Sequence, residues 1–591
     1  MSTNEDSPAS KSKWHLPSWE QIVFLIKALS VKEKVIVLGS ICLAWLLLSG
    51  WGLTIYLTRT DQRPATGGNY IEGIQGQPLY INPILANNNP VDSDLSLLIF
   101  SSLFRYTKDG KLEQDITETW SRSEDGMVYL IKLKNSVKWH DGKSLTADDV
   151  IFTLNLIRNP AYGSSLRGNW EGTEVKKIDD YNIEFKIKKA FTPFLHNLTF
   201  GILPKHLWEN VTSDKFILND LNKNPVGSGL FAFKEMKKNK DGKIMSVTLE
   251  SNREYYGKKA NLKEASFNFY ETADEVADAY KREEIDGISY LENETLKNVA
   301  DLPSLKIYEI PTTRAYGVFF NPRKSALLAD KAVRKILNSS VNKEAMLAEV
   351  LNNRGTVINT PLLPNMLGFD QNLNHYEYNP DKAKDDLDKA GWKKLSEKEL
   401  KKMKEAGEGM DNILYNEKEK RFLSFTLSVP DYPELVKTAD FLKREWEKIG
   451  VRADLDIVDT SETLQNKISN REYEALLFGE VLQADPDPTP FWHSGSKQAP
   501  GLNLSLFEND EVDQLLDEAR QEVNEEERAK DYHRFQEIVA EEAPALFLFS
   551  PSYLYGLKNT YSGVGVKVIY NQSQRLNDLG ERYLFTSRTK K

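Results

Sequence analysis

Residues 137–154 read VKWHDGKSLTADDVIFTL, which sets His140 beside Asp141 and follows them with Asp148 and Asp149. A histidine next to a carboxylate is the pairing of a general base with its orienting group, or half of a metal site. Hydrolysis would also need a nucleophile and oxyanion donors converging from elsewhere in the chain. No motif supplies them. The seven histidines are scattered, and no two have the i, i+4 spacing of HExxH. Cys42 is the single cysteine, which excludes an intrachain disulfide, a CxxC motif and a cysteine zinc site. Gly227-Ser228-Gly229-Leu230-Phe231-Ala232 formally fits GxGxxA, but FAFKEMKK continues it as a strand where a dinucleotide site needs a helix start. A GxxxxGK phosphate loop is absent. The expectation is no enzyme, no catalytic residue, no metal ligand and no cofactor.

The polar cluster has a structural explanation in the elements around it. LIKLKNSVKW alternates as a strand, and His140-Asp141-Gly142-Lys143 has the composition of a tight turn. Thr146 then caps a helix, with Asp148 and Asp149 in its first turn, where the helix dipole favours carboxylates. Further alternating runs predict strands at 182–188, 266–270, 316–320, 423–429 and 545–550. Apolar spacing predicts helices at 146–157, 329–341, 434–450 and 509–523, with Asp330 as an N-cap and Gly450 as a C-cap. Strands alternating with helices make an α/β class with mixed sheets. The chain has 591 residues, too many for one hydrophobic core. Its net charge of −10 argues against a general nucleic-acid binder, which needs a basic face. Residues 393–421 are dense in Lys and Glu and read as a solvated helical or hairpin insertion.

Residues 35–57, VIVLGSICLAWLLLSGWGLTIYL, carry no charge. A helix of this length, at about 1.5 Å per residue, spans a hydrocarbon core of roughly 30 Å. Lys27, Lys32 and Lys34 precede it and Arg59 and Arg63 follow, a small asymmetry that favours the N-terminus inside. A cleaved signal peptide would have a shorter apolar core and a small-residue site after it. A lipoprotein signal would need a cysteine after Leu48-Ser49-Gly50, where Trp51 stands. The expectation is an uncleaved single-pass anchor. Residues 1–34 form a cytoplasmic tail, polar and disordered over 1–13, and 58–66 form a linker to a large extracytoplasmic part. In 18–30, Trp19, Ile22, Val23, Ile26 and Leu29 recur at helical spacing, a pattern that suits the inner membrane surface or an ordinary juxtamembrane extension equally.

The stretch at 103–154, LFRYTKDGKLEQDITETWSRSEDGMVYLIKLKNSVKWHDGKSLTADDVIFTL, resembles the signature of the family 5 solute-binding proteins of ABC transporters, the peptide- and nickel-binding type. Further blocks follow in the family's order: NPVGSGLFAF at 224–233, TTRAYGVFFN at 312–321, KAVRKILNSSVNKEAM at 331–346, NPDKAKDDLDKAGW at 379–392 and ADPDPTPFWHSG at 484–495. The resemblance covers about 70–558 and implies a two-lobed α/β fold of the periplasmic-binding-protein type II kind, with mixed sheets, hinge strands and an extra inserted subdomain. Lobe one would comprise 67–88, 200–308 and 548–591, the inserted subdomain 89–199, and lobe two 309–547. Ligand would be enclosed by hinge closure and the closed form presented to a permease.

Peptide-binding relatives hold the ligand's amino group with an aspartate in a stretch similar to Ala484-Asp485-Pro486-Asp487-Pro488. The resemblance therefore points to Asp485, with Asp487 second. Some relatives have a tryptophan three residues before that aspartate, where this chain has Leu482. Trp492 and His493 are candidates to line the pocket, with packing an alternative for Trp492. Arg314 and Arg323, near the presumed hinge, are candidates for a ligand carboxylate. The expected partners are a peptide ligand, ABC permease subunits and the membrane, with no nucleic acid and a monomeric state. The alternative is a membrane-anchored receptor or adaptor on the same scaffold, sensing a ligand or docking a partner without transport.

Overall fold

The structure is a computed structural model that describes residues 17–590 apart from 365, 374, 375, 408 and 460, and without the side chains of 462 and 590. The expected disordered tail at 1–13 lies outside the described residues. The chain divides into two units, one ending at Ala65 and resumed from Phe585, the other Thr66–Leu584.

In the first unit, helix Trp19–Ala28 begins with a capping box between Ser18 and Gln21, and helix Val31–Arg59 with one between Ser30 and Glu33. Such boxes satisfy amide donors that a helix start leaves free. The second helix is long and apolar enough to cross a membrane, and none of its residues is buried. Residues 60–65 correct one expectation. In place of a linker, Thr60–Ala65 forms a strand paired antiparallel with Phe585–Lys590, which the sequence reading had assigned to lobe one.

In the second unit, a twelve-stranded mixed sheet dominates the described residues. Its order is Arg452–Val458, Ser424–Pro430, Ala475–Val481, Arg314–Phe320, Ala545–Lys558, Gly287–Ile288, Asn69–Gln75, Glu264–Tyr270, Ile244–Ser251, Phe231–Lys238. Leu305–Pro311 and Gly355–Val357 also pair with Ala545–Lys558. Strands Ser424–Pro430 and Arg452–Val458 are parallel and joined by helix Pro433–Glu447, which buries Leu435, Ala439, Leu442 and Trp446 at helical spacing. Strand Arg314–Phe320 is buried on both faces. Val318 and Phe320 enter one hydrophobic cluster, while Ala315 and Phe319 enter another. Leu546 and Leu548, against Ala545 and Phe547, divide the same way, as the period of two requires.

Strand Ala545–Lys558 connects separate cores. Its first half packs into the two clusters just named, and its second half gives Tyr553, Tyr555 and Leu557 to a cluster built mainly from residues 70–269, with Ile310, Tyr561, Ile569, Leu576 and Leu579. Leu305–Pro311 and Arg314–Phe320 run antiparallel beside it. The changeover falls at Thr312 and Pro551. There Thr312 Oγ1 donates to the Pro551 carbonyl at 2.7 Å, and Ser550 Oγ donates to the Thr312 carbonyl at 3.1 Å. Pro551 has no amide to give the ladder, so side chains replace backbone bonds at this crossing.

The insertion at 393–421 combines helix Glu397–Glu405 with the short antiparallel strands Tyr415–Asn416 and Arg421–Phe422. The tight turn at 140–143 and the helix Ala147–Arg158 also form as the sequence indicates, with Thr146 and Asp149 in a capping box.

Candidate functional site

The His140-Asp141 pair is committed to structural contacts, His140 with backbone and Asp141 with the His206 side chain. The Gly227 amide donates to His140 Nδ1 at 3.2 Å, and the other ring nitrogen lies 3.1 Å from the Gly229 carbonyl, so the neutral tautomer with a proton on Nε2 satisfies both contacts. Burial lowers the His140 pKa and favours that neutral form. Asp141 accepts from His206 at 2.7 Å. Gly227 is required by crowding, because a Cβ there would lie 1.9 Å from the Ile99 carbonyl oxygen. The glycine pair therefore serves helix packing, and strand Phe231–Lys238 follows it.

Two adjoining cavities lie along the crossing strands. The larger, about 660 Å³, is lined by Tyr106, His196, Gln483, Tyr570 and the ion pairs Arg105–Glu113 and Lys108–Glu581. The smaller, about 260 Å³, is lined by Tyr290, Thr312, Arg314, Glu434 and Tyr553. They share Val481, Tyr570 and Asn571. In the larger, the Tyr106 hydroxyl meets His196 Nδ1 at 2.8 Å, and burial lowers the His196 pKa. In the smaller, burial raises the Glu434 carboxyl, whose Oε1 accepts from Asn293 at 2.9 Å.

Asp485 stands beside the larger cavity, 4.0 Å from His196 Nε2. Its carboxylate is already gripped by Arg528, which donates from Nη2 to Oδ1 at 2.5 Å and from Nη1 to Oδ2 at 3.1 Å. The Arg528 side chain is 3 % exposed and that of Asp485 16 %. Asp487 is held by Arg520, with contacts of 2.7 to 3.2 Å. Trp492 is fully buried among Phe319, Phe507, Phe535 and Phe547 and lines neither cavity. It neighbours Glu480, whose complete burial pushes its carboxyl up to about 8. Among the described residues neither Trp492 Nε1 nor Glu480 Oε1 has a hydrogen-bond partner, so the nearby indole offsets little of that burial. His493 accepts from the Gly495 amide at 2.9 Å and lies near Asp513 and Asp517. Arg323 pairs with Glu508 at 3.3 Å and lines neither cavity, whereas Arg314 lines the smaller one. Of the six residues, Arg314 lines a cavity, and Asp485 reaches the larger one only through its neighbour His196.

Sequence reasoning missed Arg528, His196 and Tyr106. A signal for Arg528 was present. It shares a helical stripe with Tyr532, Phe535, Ile538 and Val539, all buried, and an arginine on an apolar stripe demands a carboxylate. His196 lies in the short 3-10 helix Thr192–Thr199, and no local pattern links it to Asp485.

Residues 111–501 match the family described as bacterial extracellular solute-binding proteins, family 5. The chain belongs to that family. It is 28 % identical over 498 residues to the oligopeptide-binding protein AppA of Bacillus subtilis, covering 83 % of this chain and 87 % of the relative. The structure of that AppA in complex with a nonapeptide matches with a TM-score of 0.66 at 26 % identity, covering 88 % of this chain and all of the other. NikZ of Campylobacter jejuni, in complex with Ni(L-His), matches with a TM-score of 0.68 at 25 % identity, covering 87 % and 99 %. These neighbours share the mixed α/β, type II-like architecture.

In this family 5 protein a buried ion network stiffens the wall of the larger cavity. Arg575 donates to Glu72 at 2.5 Å and to Asp94 at 2.6 Å, all three fully buried, while Ser573, Gln574 and Leu576 beside it line the cavity. Arg582 pairs with Asp578 at 2.8 Å and donates to the Tyr555 hydroxyl at 2.6 Å. Such saturated networks hold one geometry and lose heavily if one partner goes. Among the described residues no group of three or more His, Cys, Asp and Glu is arranged to hold a metal ion.

Proposed function

We propose that this chain captures oligopeptides in the paired cavities and delivers them to an ABC importer while the helix Val31–Arg59 holds it in the membrane. The observation that carries the peptide reading is the juxtaposition of two joined cavities with a carboxylate, Asp485, beside one and a guanidinium, Arg314, in the other. An extended peptide has the same polarity, an ammonium at one end and a carboxylate at the other, and charge-assisted bonds at both ends suit it. The exposed Arg314 guanidinium approaches the Tyr316 hydroxyl at 3.4 Å with one terminal nitrogen, which leaves further donors for a ligand. The AppA complex with a nonapeptide is consistent with this ligand class. The anchor reading is supported by the charge-free run, its exposure and its continuity as one helix.

Closure about Thr312 and Pro551 would bring the walls onto the ligand. No bond is made or broken, so selectivity follows from how much better the closed form binds a given peptide than the open form does. Thermal unfolding of the full chain in detergent, with and without defined peptide pools, tests the reading. Peptide at about a hundred times its Kd should stabilise the fold by about 2.7 kcal/mol. A chain that responds to no peptide, but to a nickel–histidine chelate, would overturn it.

A further inference from the structure

Helix Val31–Arg59 passes without a break into strand Thr60–Ala65, whose partner Phe585–Lys590 pairs in the register Thr60↔Lys590 through Ala65↔Phe585. The last carbonyls of a helix lack partners within it. Here Thr60 Oγ1 donates to the Tyr56 carbonyl at 2.5 Å. Arg588, 528 residues further along the chain, donates to the Thr60 carbonyl and to Thr60 Oγ1, both at 3.2 Å, and reaches the Leu57 carbonyl at 3.5 Å. Its guanidinium also stands 5.8 Å from the Tyr56 ring centroid. A cation at this end opposes the negative pole of the helix. Helix and ribbon are therefore continuous, where the sequence alone suggested a loose tether.

The charge of the ribbon defines its partner. Segments 58–66 and 585–591 contain Arg59, Arg63, Arg588, Lys590 and Lys591 and one acid, Asp61, in a chain whose net charge is −10. Arg59 and Arg63 are exposed and Arg588 is partly so. The charge-free run ends at Leu57, so Arg59 stands about 3 Å beyond it along the helix. Register sets Lys590 opposite Thr60 and Arg588 opposite Gln62. At about 3.3 Å per strand residue even Arg63 lies only ~13 Å past Arg59. That interval is covered by the headgroup layer, about 5–8 Å deep, together with a Debye length of about 8 Å. Cations flanking the outer end of a span also run against the usual charge bias, which places them inside. Orientation therefore does not explain them.

We propose that this cationic ribbon binds the phosphates of anionic phospholipids on the extracytoplasmic face and so ties the ribbon to the membrane surface. The proposal rests on the anchor reading above. Its test is hydrogen exchange over 58–66 and 585–591 in the full chain, reconstituted in vesicles of phosphatidylcholine with and without phosphatidylglycerol. Phosphatidylglycerol is expected to slow exchange by about fivefold for each cation engaged, and salt to reverse the effect. Arg59→Gln with Arg63→Gln, both exposed, should cut the lipid-dependent slowing by up to about 25-fold, while Arg59→Lys with Arg63→Lys should keep it. A chain that alkaline carbonate strips from vesicles overturns the anchor and this site together. A chain that stays inserted, yet exchanges equally in both lipids or keeps its full lipid dependence in the double glutamine variant, overturns the headgroup site alone.

Discussion

Asp485→Asn separates two tasks that fall on one carboxylate. The first is to neutralise Arg528, whose side chain is 3 % exposed and whose Nε has no hydrogen-bond partner among the described residues. Its terminal nitrogens are satisfied by Asp485, with one longer contact to Tyr532 at 3.4 Å. Asparagine keeps the shape but turns an acceptor into a donor facing the guanidinium. An uncompensated buried cation of this kind costs about 3–5 kcal/mol. Asp487→Asn is the matched control. Its partner Arg520 is 34 % exposed and can turn to water, so its loss should stay below about 2 kcal/mol. Urea unfolding of each variant measures both. The second task, receiving a ligand ammonium, needs a background in which Arg528 is not stranded. Asp485→Leu combined with Arg528→Met exchanges the pair for apolar side chains, and such exchanges are often neutral or stabilising. In that stable background, calorimetric titration should show peptides with a free amino end losing about 2–5 kcal/mol of affinity, and N-acetylated peptides losing little. A cost under about 1 kcal/mol for Asp485→Asn would refute the structural half of this reasoning. Unchanged affinity for free-amino peptides in the double variant would refute the ligand half.

Arg314→Gln should leave unfolding unchanged, because the side chain is exposed, and weaken peptides with a free carboxylate end by about ten- to a hundredfold relative to their amides. Equal losses for acids and amides would remove Arg314 from carboxylate recognition. Glu480→Gln tests the raised carboxyl. A carboxyl lifted from 4.5 to about 8 stays protonated in the fold, so wild-type stability falls as pH rises between those values. The glutamine variant, which does not titrate, should gain on wild type across that window, by up to about 4 kcal/mol near pH 8, and match it below about pH 4.5. A pH-independent difference in chemical denaturation would contradict this. Trp492→Ala should cost about 3–5 kcal/mol by opening a cavity among four phenylalanines, and peptide affinity at temperatures where the fold persists should barely move.

Much of this molecule is legible where the signal is local. Thr146 and Asp330 cap their helices as their types suggest, and alternating runs such as 316–320 become strands. Strand Ala545–Lys558 shows the limit. Pro551 reads as a stop, yet the strand passes through it because Thr312 and Ser550 supply bonds that the missing amide cannot. Gly450 adopts φ +82° two residues after the helix's own cap at Lys448, so the intended stop is right in kind and displaced in position. At the site, the aspartate named by family resemblance stands beside the cavity, but its companion Arg528 lies 43 residues away and could be paired with it only by folding. The segment Thr60–Ala65 is unreadable as a strand for the same reason, since its partner Phe585–Lys590 lies more than 500 residues away in sequence.

That last pairing also sets an order of events during synthesis. Strand Thr60–Ala65 leaves the ribosome early, and Phe585–Lys590 follows only after residues 66–584 have been made. At about 5–20 residues per second the wait is roughly half a minute to two minutes. Until then the helix end lacks the donor from Arg588, and one strand edge stands open. The ribbon thus cannot close before residues 66–584 have been made, and its closure reports that they have been.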